Sequence, residues 1–251
     1  MGQSHWTSEH DFTVGGVAYR SMTGRTQDDQ MVVLKPREAV DGYEALFAEL
    51  KPRTMVELGI YNGGSAALFS QLATPEKFVV VDIGAGCEPL DRFLDRHDLR
   101  GTVVPYFGVD QADTGRLDEI MAAEFDGPVD LVIDDASHLE AETRTSFNRL
   151  FPHVRPGGAY VIEDWGWAHT GLPRDAYMQG VPPLSVFIVE LLVVAARRPR
   201  MIDRLVIDSF SATVWRGPAD LRSGRFDVSA HLGPVGQDML EGLQVARSQV
   251  P

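Results

Sequence analysis

Leu131-Val-Ile-Asp-Asp-Ala-Ser-His138 decides how the chain is read, and Tyr160-Val-Ile-Glu-Asp-Trp165 answers it further along. Each is an apolar run ending in two adjacent carboxylates, and the first adds His138 three residues after Asp135. Apolar runs of this length, bounded by polar residues, predict buried parallel strands. In an open α/β sheet, ligands lie beyond the carboxyl ends of such strands. With these two strands as neighbours, Asp135, Glu163 and Asp164 converge. Three crowded carboxylates repel one another unless a cation or protons neutralise them. The pattern therefore predicts a divalent metal on Asp135, Glu163 and Asp164, with His138 beside it.

Working outward, Thr54-Met-Val-Glu-Leu58 reads as a first strand, Gly59-Ile-Tyr-Asn-Gly-Gly64 as a turn, and Ser65 to Leu72 as a helix. A strand, a glycine-rich turn and a helix N-terminus form a cradle for a nucleotide-like ligand. Phe78-Val-Val-Val-Asp82 is a second strand with an acid at its carboxyl end. Asp82 follows Gly59 by 23 residues, near the roughly 20 expected of a carboxylate that accepts ribose hydroxyls. The loop is not Gly-x-Gly-x-x-Gly, because Ile60 and Tyr61 occupy its middle, so a nicotinamide dinucleotide is not the expected ligand. Val103-Val-Pro-Tyr-Phe107 is a third strand, with Asp110 and Gln111 in its exit loop and a helix from about Asp113 to Glu124.

Ser137 with Glu140 three residues on reads as a capping box, which places His138 in the first turn of a helix. Leu139, Thr143, Phe147, Leu150 and Phe151 make that helix's apolar face, and Pro156-Gly-Gly158 turns the chain into a fifth strand. Upstream, a helix opens at Pro36 and ends at Lys51-Pro52. Residues 1 to 34 lack sustained periodicity and read as an N-terminal arm or lid. Residues 166 to 183, rich in Gly and Pro, read as a long substrate loop. Leu184 to Ala196 is a buried-face helix, too short to span a bilayer. Leu205–Ser209 and Ala212–Arg216 read as a closing antiparallel pair, with a short helix near Gln237 to Arg247. The expectation is a single α/β domain over residues 1–251, with helices on both faces of its sheet.

The formal net charge of -13 argues against nucleic acid or an anionic membrane as partner. One cysteine, Cys87, excludes an internal disulfide framework and fits a reducing compartment. The first twenty residues have no apolar h-region, so a soluble cytoplasmic protein is expected.

Glu57-Leu-Gly-Ile-Tyr-Asn-Gly-Gly-Ser65, Asp82, Asp134-Asp135 and Glu163-Asp164 resemble the class I S-adenosylmethionine methyltransferases. The Asp-Asp-x-Ser-His and Ile-Glu-Asp elements are similar, more narrowly, to metal-dependent sugar O-methyltransferases of antibiotic biosynthesis. Those act on macrolide sugars or rhamnosyl groups, and the cephalosporin hydroxylase-like proteins are similar too. The resemblance covers roughly residues 54 to 165. It implies a Rossmann-like fold with a seven-stranded, mostly parallel sheet of order 3-2-1-4-5-7-6, which sets strands four and five side by side.

It further implies roles. Glu57, Gly59, Tyr61, Gly63, Ser65, Asp82, Asp110, Gln111 and Asp134 bind S-adenosyl-L-methionine, with Asp82 on the ribose and Asp110 and Gln111 at the adenine. Asp135, Glu163 and Asp164 hold Mg2+, whose open positions take sugar hydroxyls. His138 removes the hydroxyl proton, kept in its neutral, proton-accepting form by the positive helix end. Trp165, Trp167 and His169 pack either on the substrate or on the loop itself. The expected substrate is a small glycoside carrying a rhamnose-like deoxysugar, and the expected assembly is a homo-oligomer. Rival expectations are a catechol-type O-methyltransferase, a class that commonly recruits a lysine base, and a non-catalytic S-adenosylmethionine-binding partner of a biosynthetic enzyme.

Overall fold

The computed structural model describes residues 2–24, 26–27, 29–170, 180–222 and 225–248, without side chains from 243 onward. It divides into two units, residues 1–136 and 137–251.

In the first unit, parallel strands β5 (Thr54–Leu58), β6 (Lys77–Asp82), β7 (Val103–Phe107) and β8 (Val129–Asp134) follow a small N-terminal sheet, β1 (His5–Trp6), β2 (Asp11–Val14), β3 (Val17–Ser21) and β4 (Gln30–Val33). Helices α1 (Arg37–Leu50), α2 (Gly64–Ala73), α3 (Glu88–Arg96) and α4 (Thr114–Glu124) intervene. Nearly every residue of β5, β6 and β8 is buried, as expected where a parallel sheet is covered on both faces. Helix α2 is apolar and small all round, and nine of its ten residues are buried. A methyl group on Gly64 would sit 1.9 Å from the Val32 carbonyl oxygen, so glycine there lets β4 lie against α2.

In the second unit, α5 (Glu140–Leu150), β9 (Val154–Glu163), α6 (Ser185–Arg197), β10 (Ile202–Ile207), β11 (Ser211–Arg216) and α7 (Gly233–Ser248) follow in order. β11 pairs antiparallel with β9 on one side and β10 on the other. The seven strands β5 to β11 make one mostly parallel sheet of order β10-β11-β9-β8-β5-β6-β7, the expected 3-2-1-4-5-7-6 arrangement read from the other edge. Among the described residues no helix is long and apolar enough to cross a membrane.

Four expectations need correction. Residues 1–34, read as lacking sustained periodicity, do alternate: β2 and β3 form a hairpin whose turn, Gly15-Gly16, takes φ of +57° and +82°, the two left-handed positions of a tight hairpin turn. Phe12, Val14, Val17 and Tyr19 bury one face of it, and the Tyr19 hydroxyl donates to the Ala67 carbonyl on α2. Helix α3 lies in a stretch for which no element was expected. Strand β9 already begins at Val154 and runs through Pro156-Gly-Gly158. Finally, α5 starts at Glu140, with Leu139 as its extended N-cap and no side-chain capping bond. Ser137 accepts a hydrogen bond from the Leu139 amide instead, and Leu139 bridges to Pro183. His138 therefore lies outside the helix, in a left-handed conformation with φ +56°.

Candidate functional site

The first unit carries the nucleotide-like half. As β5 ends, Gly59 turns the chain at φ +81°, and a methyl group there would come within 2.2 Å of the Asp135 carbonyl oxygen. Only glycine permits both the dihedral and the approach. The amides of Ile60 and Tyr61 then donate to Asp82 Oδ2 at 2.8 and 3.2 Å, and the Gly84 amide donates to Oδ1 at 2.7 Å. Asp82 thus holds the loops after β5 and β6 together by backbone bonds. A carboxylate offers about four acceptor sites, so capacity remains for a ligand hydroxyl. Gly63 caps α2 without any side-chain acceptor, which leaves that helix's first amides for an anion. Glu57 is fully buried within β5, and Ser65 is buried in the first turn of α2.

Tyr61 and Ile83 stand 72% exposed at these loops, large apolar groups of the kind that a bound base covers. Ile83 escaped the sequence reading, although an apolar residue directly after a strand-end acid is a legible signal. Asp110 and Gln111, both expected at the adenine, have different surroundings. Asp110 is exposed and accepts from the Ala112 amide, whereas Gln111 is buried and donates to Asp134 Oδ1 at 3.1 Å. Gln111 and Asp134 are one hydrogen-bonded pair beneath the exit of β8.

Asp135 follows, half-buried, its amide bonded to the Leu58 carbonyl at 2.8 Å. Its Oδ2 meets the Lys35 ammonium at 2.9 Å, and Lys35 is only 4% exposed. Lys35 also escaped the sequence reading, since a lysine after Met31-Val-Val-Leu34 resembles an ordinary strand end.

The second unit carries His138, Glu163 and Asp164. The imidazole Nε2 lies 3.9 Å from Asp164 Oδ2, too long for a hydrogen bond, and the ring centre lies 5.3 Å from that of Trp167. Glu163 is buried at the end of β9, opposite Ser211. Asp164 is half exposed and takes φ +51°. Left-handed backbone at non-glycine residues is strained by about 1–3 kcal/mol and concentrates at functional positions. Lys51 and Thr74 adopt it merely as helix C-caps, but His138 and Asp164 cap no helix. The aromatic trio also divides. Trp165 Nε1 donates to the Asp208 carbonyl at 2.9 Å and His169 Nε2 bonds Ser185 Oγ at 2.7 Å, so both fasten the loop, whereas Trp167 faces His138. The expected substrate loop of residues 166–183 lies partly outside the described residues, at 171–179.

Residues 56–165 match the family model described as a methyltransferase domain. The mycinamicin VI 2''-O-methyltransferase of Micromonospora griseorubida is 40% identical over 129 residues, which are 47% of this chain and 31% of that protein. The 8-demethyl-8-alpha-L-rhamnosyl tetracenomycin-C 2'-O-methyltransferase of Streptomyces olivaceus is 37% identical over 140 residues, 54% of this chain and 35% of that one. The chain thus spans about a third of the length of these relatives. Among solved structures, the MycE methyltransferase of the mycinamycin pathway, in complex with Mg and SAH, superposes with a TM-score of 0.54 at 29% identity, over 73% of this chain and 50% of that one. A caffeoyl-CoA O-methyltransferase-like protein from Staphylococcus aureus shares the fold, with a TM-score of 0.55 at 15% identity. Over residues 56–165 this chain is thus similar to a methyltransferase domain, and over about half of its length to sugar O-methyltransferases of macrolide and tetracenomycin pathways.

Proposed function

We propose that this chain is an S-adenosylmethionine- and Mg2+-dependent O-methyltransferase that methylates a sugar hydroxyl, on a rhamnose-like deoxysugar, of a glycosylated natural product. The observation that carries the reading lies in the first unit: a strand, a glycine turn and a helix N-terminus stand over Asp82, whose carboxylate accepts from the Ile60, Tyr61 and Gly84 amides. The oxygen donors of Asp135, Glu163 and Asp164 suit a hard divalent cation by their chemistry. The nucleotide-like half fits S-adenosylmethionine by its donor set. Free amides at the start of α2 suit a carboxylate, Glu57 suits an ammonium, Asp82 suits ribose hydroxyls, and Tyr61 with Ile83 suits a base. The relatives' printed activities on macrolide and rhamnosyl substrates support the acceptor class.

Bound S-adenosylmethionine supplies the electrophilic methyl group, and Mg2+ supplies Lewis acidity that holds and polarises a hydroxyl. The chain's own residues do the rest. Asp135, Glu163 and Asp164 fix the cation, and Gly59 lets the β5 turn close on the Asp135 backbone. His138 accepts the hydroxyl proton at a ring nitrogen. Its placement in a left-handed loop, not a helix, means that backbone strain and the Trp167 ring set its orientation. Trp167 flanks the acceptor, and Trp165 and His169 keep the loop in place. Rate enhancement then comes chiefly from alignment of the hydroxyl with the methyl carbon. The protein works as a homo-oligomer in the cytoplasm on this reading.

A second reading, catechol-type O-methylation, is favoured by the buried Lys35 ammonium, since a lysine base is common in that class. Methyl transfer measured across a panel of rhamnosides and catechols, in Mg2+ and in excess chelator, separates the two. Rhamnoside turnover that disappears with chelator is expected. Turnover confined to catechols, or binding of S-adenosylhomocysteine with no transfer to any acceptor, would overturn it.

A further inference from the structure

Between its two ends, helix α6, Ser185-Val-Phe-Ile-Val-Glu-Leu-Leu-Val-Val-Ala-Ala-Arg197, is apolar but for one acid, and that acid is buried. Glu190 is 1% exposed and shares the interior with Phe187, Ile188, Leu191 and Val194. Burying a carboxylate is unfavourable unless donors meet its oxygens, and an apolar side chain of similar volume would pack this face as well. Arg144 of α5 meets one oxygen: its Nη1 donates to Glu190 Oε2 at 2.6 Å. The same nitrogen donates to Ser229 Oγ at 2.7 Å, and Nε and Nη2 donate to Glu140 Oε1. Among the described residues nothing donates to Glu190 Oε1.

Glu190 also lines a cavity of about 340 Å3, which lies wholly within the second unit. Its other walls include Glu140 of α5, Leu232 just before α7, and Gln237, Leu240 and Glu241 on α7. Three carboxylates there face the one guanidinium of Arg144, which leaves two formal negative charges. Leu232 and Leu240 are themselves buried and give the cavity an apolar wall, while Gln237 offers a side-chain carbonyl. None of these side chains belongs to the candidate site described above.

The mixture of groups indicates the ligand. A bare divalent cation would sit against carboxylates that already hold the Arg144 guanidinium, where like charges repel, and would leave the leucines unused. A primary ammonium carries a single charge, donates three hydrogen bonds, and brings alkyl carbon with it. Two such groups on one chain match the two formal charges. We infer that this cavity binds an aliphatic diamine, one ammonium donating to Glu190 Oε1 and the methylenes lying on Leu232 and Leu240. Such a ligand ties α5, α6 and α7 together and stabilises the folded chain by mass action. The inference is independent of the proposed methyl transfer.

The test is titration calorimetry of the full chain at low salt, with butane-1,4-diamine as the probe and butylamine and butane-1,4-diol as comparisons. The diamine is expected to bind with a Kd of about 1 mM or tighter, about tenfold tighter than butylamine, and the diol is expected to give no binding. Glu190→Gln, which keeps the side chain's shape, is expected to weaken the diamine by at least about tenfold. Glu241→Gln, at the exposed rim, is expected to weaken it by only about two- to threefold. If Glu190→Gln shows no cooperative thermal melt, Leu240→Lys, which places a competing ammonium in the cavity, is expected to weaken the diamine by about tenfold as well. Diamine affinity within about twofold of wild type in the folded variant overturns the inference. So does butylamine binding as tightly as the diamine, or displacement of the diamine by an equal concentration of Mg2+.

Discussion

The loops after β5 and β6 and the loops after β8 and β9 both end in carboxylates, yet they hold them by opposite means. Asp82 is gripped by three backbone amides from Ile60, Tyr61 and Gly84. Asp135 instead meets a side-chain cation from far away in sequence, and Asp164 and His138 sit in left-handed backbone. Backbone amides give a site that any residue pattern with the right turn reproduces. A side-chain cation and strained loops give one that depends on particular residues. The first arrangement suits a cofactor common to many enzymes, and the second suits a reaction-specific centre.

Substitutions sharpen this contrast, and the largest effect is expected at Asp135. Asp135→Asn should lower methyl transfer by about a thousandfold, as loss of several kcal/mol of metal stabilisation implies, while S-adenosylhomocysteine binding by calorimetry stays near normal. His138→Ala should lower kcat by about a hundredfold or more, with little change in substrate affinity; a kcat near wild type would remove it as the proton acceptor. Gly59→Ala acts through the backbone: it should destabilise by more than about 2 kcal/mol in a denaturant titration, because it adds a clash to a disfavoured dihedral. Trp165→Phe, which loses one hydrogen bond to the Asp208 carbonyl, should lower stability by only about 1 kcal/mol.

A pH scan probes histidines outside both groups. Burial holds His97, His153 and His231 below the ordinary histidine pKa, helped in each case by a neighbouring arginine: Arg96, Arg222 and Arg198. The unfolded chain therefore binds protons that the folded chain refuses. Their contribution is present above the unfolded value of about 6.5 and is lost as pH falls below it toward the folded values. Thermal melts should show Tm falling from pH 7 to pH 5, and His153→Gln should flatten that fall.

Much of the central sheet was legible because its strands are apolar runs bounded by turn residues. Thr54–Leu58 and Val103–Phe107 coincide with the expected strands, and the strand order follows the family pattern. Helix α3 was not legible because its apolar stripe is only Leu90, Phe93 and Leu94 among charged residues. The N-terminal hairpin was hidden by its short alternation, although Gly15-Gly16 between two such runs marks a tight turn. The capping box failed because tertiary pairing of Leu139 with Pro183 outcompeted a local bond from Ser137. Lys35 was beyond reach of any motif, since its importance arises from a contact across a hundred residues of sequence.

The most direct test is transfer of labelled methyl from S-adenosylmethionine to a rhamnoside panel, with Mg2+ present and then with excess chelator. The account predicts transfer to a sugar hydroxyl that chelator abolishes and Mg2+ restores. Undiminished transfer in chelator would contradict it.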